Sequence, residues 1–168
     1  MTFEKWLQEN RSYKVKVAKP NPSYADELRN ELDRHLYTIE KWIDGSVDRR
    51  AMADAMHFFG TRYPAKGAIY RGTENLVFDG KPASYTKSKE LAEGFAIAAA
   101  QNHWFFRGTT VYVIERRAPS NSLDFKKLLK SYATGEHYRS EESEVIIYNT
   151  PVADRNITEI NITASRLQ

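Results

Sequence analysis

The sequence predicts an α+β fold, on three observations. Apolar residues recur at helical spacing up to about residue 60. Strand-like runs take over after Pro64, and one further helical pattern, at 91–99, interrupts them. A chain of 168 residues is long enough to bury one substantial core, so a single domain is expected.

Residues 1–22 hold a short helix candidate, the basic stretch KVKVAK and two prolines, and read as an N-terminal arm leading into a domain spanning 23–168. Ser23 is placed to cap a helix, with Asp26 three residues on. Leu28, Leu32, Leu36, Ile39 and Ile43 then share one helical stripe, and Gly45 is placed to end it. Ser46 is the expected cap of a second helix, with Met52, Met56 and Phe59 on its apolar side and Gly60 beyond. His35 and His57 ride on these helices as ordinary members. Together they make a helical subregion, 23–60, ahead of a sheet core, 65–168.

In that core AIYRG and ASYT read as strands, separated by the turn-like DGKP. Leu91, Ala92, Phe95, Ala98 and Ala99 mark a helix capped by Thr86 or Ser88. TTVYVIERR, EVIIYN and NITEINI are the remaining strands.

Composition narrows the function classes. With 41% hydrophobic and 28% charged residues the chain is not expected to be disordered, and a net charge of +3 permits acidic partners without demanding them. No cysteine is present, which excludes disulfides, zinc–thiolate sites and thiol nucleophiles. The start, MTFEKWLQENR, lacks the apolar run of a secretory signal, and no stretch approaches the roughly 20 apolar residues that span a bilayer. A cytoplasmic protein without a membrane partner is expected. His35, His57, His103 and His137 show no metal-binding spacing, and there is no glycine-rich phosphate loop, so no metal is expected.

Three stretches carry chemistry. In RSEESEVIIY, an extended strand running back through residue 142 would put Glu142 and Glu144 on one face, Cα atoms roughly 7 Å apart, with Glu141 opposite. Paired carboxylates suit a cationic partner, acid–base work or metal binding; a solvated acidic turn is the plainer alternative. In AIYRG, Arg71 ends an apolar strand beside Gly72. The guanidinium fork suits phosphate or carboxylate, and a glycine lets a ligand approach the backbone. A surface arginine at a strand end is the plainer reading from the residues alone. In ASYTKSKELAEGFA, Ser84 and Thr86 share a strand face just before a helix, as ligands or as caps.

In this order the three stretches resemble the mono-ADP-ribosyltransferases, which mark an NAD site with Arg, then Ser-Thr-Ser, then Glu-x-Glu. The likeness is strongest to the small bacteriophage members that modify host proteins. IYRG, SYTKSKELAEGFA, VYVIERRAP and ESEVIIY have counterparts there in the same order, over roughly residues 67–150. The resemblance implies a helical part followed by a mixed, split sheet around an NAD cleft. It implies NAD+ as co-substrate, Arg71 on its phosphates, Ser84 supporting the catalytic glutamate, Glu144 as that glutamate and Glu142 reading the acceptor. Gly72 and Thr86 would complete the NAD site. The triplet departs from the family by reading Ser-Tyr-Thr, with Tyr85 expected to point away. Arg107, in NHWFFRG, is a further phosphate candidate, while Trp104, Phe105 and Phe106 read as core. The loop 132–142 would lie beside the acceptor.

The pattern answers why acidic residues sit at a strand mouth. Breaking the nicotinamide–ribose bond develops positive charge on the ribose, which a carboxylate stabilises, and a second carboxylate suits an incoming guanidinium. The implied partners are host or target proteins modified on arginine, with ribosomes or RNA polymerase as candidate surroundings in the host cytoplasm. Three rivals remain at this stage. One is an NAD glycohydrolase on the same fold, in which Glu142 would have little to do. Another is a basic nucleic-acid-binding module built on KVKVAK, ERR and KKLLK. A sugar glycosidase leaves Arg71 and the Ser-x-Thr triplet unexplained.

Overall fold

In the computed structural model, the structure describes residues 2–9, 16–17, 26–46, 48–101, 108–134 and 143–163. The first long apolar stripe folds as α2 (Asp26–Ile43), burying Leu32, Leu36, Ile39 and Ile43. Its end is set at Gly45, whose φ of 85° is costly for other residues; Ser46 N–H bonds to the Lys41 carbonyl and Gly45 N–H to that of Trp42. The expected cap at Ser23 lies outside the described residues. α3 (Arg49–Phe59) buries Met52, Ala55, Met56 and Phe59. Its N-cap is Asp48 rather than Ser46, since the Asp48 carboxylate accepts the Ala51 N–H at 3.0 Å. Ser46 is taken up in closing α2.

The chain begins with α1 (Phe3–Glu9), then β1 (Lys16–Val17), which pairs with β6 (Ala133–Thr134). The sheet proper contains β2 (Ala68–Thr73), β3 (Pro82–Thr86), β4 (Gly108–Arg117), β5 (Leu123–Asp124), β7 (Glu144–Tyr148) and β8 (Ile157–Thr163). Its spatial order is β5-β7-β3-β2-β4-β8, antiparallel at every described pair rather than mixed. α4 (Lys89–Gln101) follows β3, α5 (Phe125–Tyr132) follows β5, and a 3-10 turn at Asp154–Asn156 precedes β8. The molecule is an α+β fold.

Helices cover one face of this sheet in two groups. α2, α3 and α5 enclose a core with Ile146 of β7, while α1 and α4 pack Phe3, Leu7 and Phe95 against Val111, Val113 and Ile162 of β4 and β8. The opposite face carries a smaller cluster of Ile69, Ala83, Tyr85, Ile114, Val145 and Ile147. The basic run KKLLK lies in α5, an amphipathic helix that turns Leu128 and Leu129 fully inward. Its lysines are the outer face of a core helix. No described helix is long and apolar enough to cross a membrane.

Candidate functional site

The site forms where the sheet is least continuous. β3 is held along its whole length by β7, from Pro82↔Tyr148 to Thr86↔Glu144. On its other side, among the described residues, Tyr70↔Thr86 is the one register pair joining it to β2. Past that point the strands separate, and the main-chain groups of Ser84 need other partners. The Ser84 N–H donates to Glu4 Oε1 at 3.2 Å, and the Ser84 carbonyl accepts from Arg71 Nη1 at 2.8 Å. Arg71 and Glu4 are themselves paired at 2.6 Å. A charged pair therefore stands in the gap where ladder hydrogen bonds would otherwise run.

Directly opposed residues of an antiparallel pair share a face. Ser84, Thr86 and Glu144 consequently rise from the same side of β3 and β7. Ser84 Oγ donates to Glu144 Oε2 at 3.3 Å. The indole Nε1–H of Trp42, from α2, reaches both groups, at 3.1 Å to Ser84 Oγ and 3.2 Å to Glu144 Oε2. Glu144 is 2% exposed, so this carboxylate is held by directed donors in a largely water-free setting. Such a carboxylate is suited to opposing a developing positive charge.

Arg71 is 9% exposed and lines a cavity of about 270 Å³ with Arg49, Thr73, Asn75, Asp79 and Asn149. Arg49 and Asp79 pair across its wall at 2.7 Å. Burial pushes the Glu4 carboxyl up, but the Arg71 charge and the hydrogen bonds from Arg71 and Ser84 more than offset this, and its pKa lies below the ordinary value. Glu4 is ionised beside Arg71.

The remaining sequence candidates fare differently. Tyr85 points to the opposite face from Ser84 and Thr86, donates its hydroxyl to Asn149 Oδ1 at 2.8 Å, and lies under the Arg116 guanidinium. Burial raises its pKa, against the Arg71 and Arg116 charges. Thr86 accepts the Ser88 N–H at 3.1 Å and Ser88 accepts the Leu91 N–H at 3.3 Å, so Ser88 is the cap of α4. Gly72 is not open to a ligand on its Cα face. A Cβ there would stand 2.3 Å from the Ala92 carbonyl oxygen and 2.9 Å from Phe95 Cδ1. Close packing of α4 on β2 is what requires the glycine.

Glu142 and Arg107 lie outside the described residues, as do Trp104, Phe105, Phe106 and most of the 132–142 loop. β7 begins at Glu144, and Ser143 just before it has φ +32°. An extended strand cannot pass through that angle.

Two residues of the site are absent from the sequence reading. Trp42 lies one turn beyond Ile39, and a tryptophan beside a core stripe carries an N–H that needs a partner; that is a usable signal. Glu4 sits between Phe3 and Leu7 in a seven-residue helix, and nothing local marks it as buried. Among the described residues, no group of three or more His, Asp or Glu side chains is arranged to hold a metal ion.

No family model, curated protein or solved structure matches the chain. The functional reading therefore rests on the residues and their geometry.

Proposed function

We propose that this chain is an NAD-dependent mono-ADP-ribosyltransferase that moves ADP-ribose onto arginine side chains of target proteins. The observation that carries the reading is the hydrogen-bonded run Arg71–Ser84–Glu144, in which three motifs distant in sequence meet at one split in a sheet. An isolated acidic turn, surface arginine and helix cap have no reason to converge in this way.

In the reaction so read, the C1′–N bond between ribose and nicotinamide breaks and nicotinamide leaves with the bonding pair. A guanidino nitrogen of the target forms the new bond to C1′ and releases a proton. Glu144, held by Ser84 and Trp42, opposes the positive charge that develops on the ribose, so it binds the transition state more strongly than the substrate. Arg71 is the phosphate partner, which requires Glu4 to give way. Thr86, on the same face as Ser84, borders the site. Glu142 is assigned to the acceptor guanidinium and Arg107 to a phosphate, both on sequence position. Targets in a host cytoplasm, near ribosomes or RNA polymerase, follow from the likeness to bacteriophage members. A glycohydrolase, passing ADP-ribose to water, is the same chemistry without the acceptor step.

The test is incubation with adenylate-labelled NAD+ and a bacterial lysate, followed by mass spectrometry of modified residues. The parent protein should label arginines. Glu144→Gln should lose about 10²–10³-fold in turnover while remaining folded by circular dichroism. A folded Glu144→Gln that keeps a tenth of the parent rate removes Glu144 from the reaction, and a parent protein that releases no nicotinamide overturns the reading.

A further inference from the structure

Besides the backbone N–H of Glu4 itself, two groups hold its carboxylate, and both belong to the sheet. One is a main-chain N–H, that of Ser84; the other is the Arg71 guanidinium. A backbone donor beside an arginine is a combination that binds phosphate as readily as carboxylate. Glu4 itself comes from elsewhere. It belongs to α1, a seven-residue helix too short to persist by itself, held to α4 and the sheet through the buried Phe3 and Leu7 and to α4 by the edge of Trp6.

We propose that Glu4 is a displaceable occupant of a diphosphate site: α1 plugs the gap between β2 and β3 with its own carboxylate, and an incoming diphosphate expels it. That the displacing anion is the diphosphate of a dinucleotide rests on the transferase reading. The plug rests on geometry alone.

Two physical arguments bear on exchange, one tying any opening to ligand and the other giving the ligand room. Withdrawing Glu4 with nothing in its place leaves a guanidinium without its counter-charge in a buried setting, which is costly. The helix therefore leaves when an anion arrives and returns when it departs, so opening is coupled to ligand. The second is space. Arg71 also borders the cavity of about 270 Å³ whose wall includes the Arg49–Asp79 pair, Thr73 and Asn149 beside the apolar Val77 and Ile114, so a ligand meeting Arg71 has space to extend into. A lone structural ion pair needs no such neighbour.

The test uses the full chain with inorganic pyrophosphate as the probe of the site and ADP-ribose as the probe of ligand identity. Binding is measured by calorimetry, and amide hydrogen exchange of residues 3–9 is followed with and without ligand. Glu4→Gln should bind pyrophosphate about tenfold more tightly than the parent, because the competing charge is gone. Saturating pyrophosphate should speed exchange throughout α1 of the parent. Leu7→Ala loosens the helix without touching the Arg71 pair; it should shift affinity the same way, and it decides the matter if Glu4→Gln does not fold. Equal affinities in the parent and the folded variants, with α1 exchange unmoved, overturn the proposal and leave Glu4 a fixed partner of Arg71. Pyrophosphate that releases α1 in a protein indifferent to ADP-ribose sustains the plug and removes the transferase reading instead.

Discussion

Ser84 donates its hydroxyl to Glu144 Oε2 across 3.3 Å, and a single indole N–H, that of Trp42, lies within hydrogen-bond distance of both. The triangle joins β3, β7 and α2, so the orientation of the buried carboxylate depends on the packing of a helix as well as on the strand pairing beneath it.

Trp42→Phe tests that dependence, since it keeps an aromatic ring in the core and deletes the N–H together with the five-membered ring. A hydrogen bond to a charged group contributes about 1.5–3 kcal/mol, and a loss of that order in unfolding free energy is expected from urea denaturation. In the proposed reaction turnover should fall with little change in KM for NAD+, because the indole acts on Glu144 and not on the phosphate partner. Unaltered stability and turnover would make the indole contact incidental.

Gly72→Ala separates packing from ligand approach. The added Cβ meets the Ala92 carbonyl at 2.3 Å, and helical backbone cannot step aside as a flexible side chain would. Overpacking of this kind costs about 1–3 kcal/mol, so a lower melting temperature is expected. A variant as stable as the parent but deficient in ligand binding would give Gly72 the role the sequence suggested.

Stability should fall on acidification in two windows. His35 is buried against Phe58. Burial and the neighbouring Arg34 charge, outweighing Glu31 and Asp54, hold its pKa below the ordinary 6.5. The unfolded chain therefore takes up this proton first, and stability begins to drop as pH falls through about 6.5. Glu4 has its pKa lowered from 4.5, so its contribution is fully present above that value and is lost as pH falls further and the buried carboxylate protonates. Urea midpoints across this range should show a flatter upper window in His35→Gln and a flatter lower one in Glu4→Gln; slopes matching the parent in both would refute the assignment.

Glu142→Gln should divide the two halves of the proposed reaction. Glu144 is untouched, so nicotinamide release to water should persist, while transfer to agmatine or a lysate protein should fall much further for want of the Glu142 carboxylate. Equal loss of both rates, or of neither, removes Glu142 from acceptor recognition and the arginine assignment with it.

The sequence by itself determined the elements that follow from local periodicity. The stripe Leu32, Leu36, Ile39 and Ile43 gave α2 its buried face, Gly45 its end, and the apolar runs from Ala68, Thr109 and Val145 their strands. These depend on spacing within one segment, which the chain displays directly. α5 was hidden by its composition: in KKLLK the lysines dominate the reading, although Phe125, Leu128 and Leu129 decide which way the helix faces.

The tertiary structure alone decided what the candidate residues touch. That Arg71 meets Glu4, 67 positions away, and that Trp42 meets Glu144, 102 positions away, depends on how α1 and α2 dock on the sheet. No local pattern encodes a partner at that distance. The close packing of α4 on Gly72 is likewise visible only once the helix is docked on β2. The split between β2 and β3 is of the same kind: both strands are legible in the chain, but only their docking shows that Ser84 must find its partners in Glu4 and Arg71.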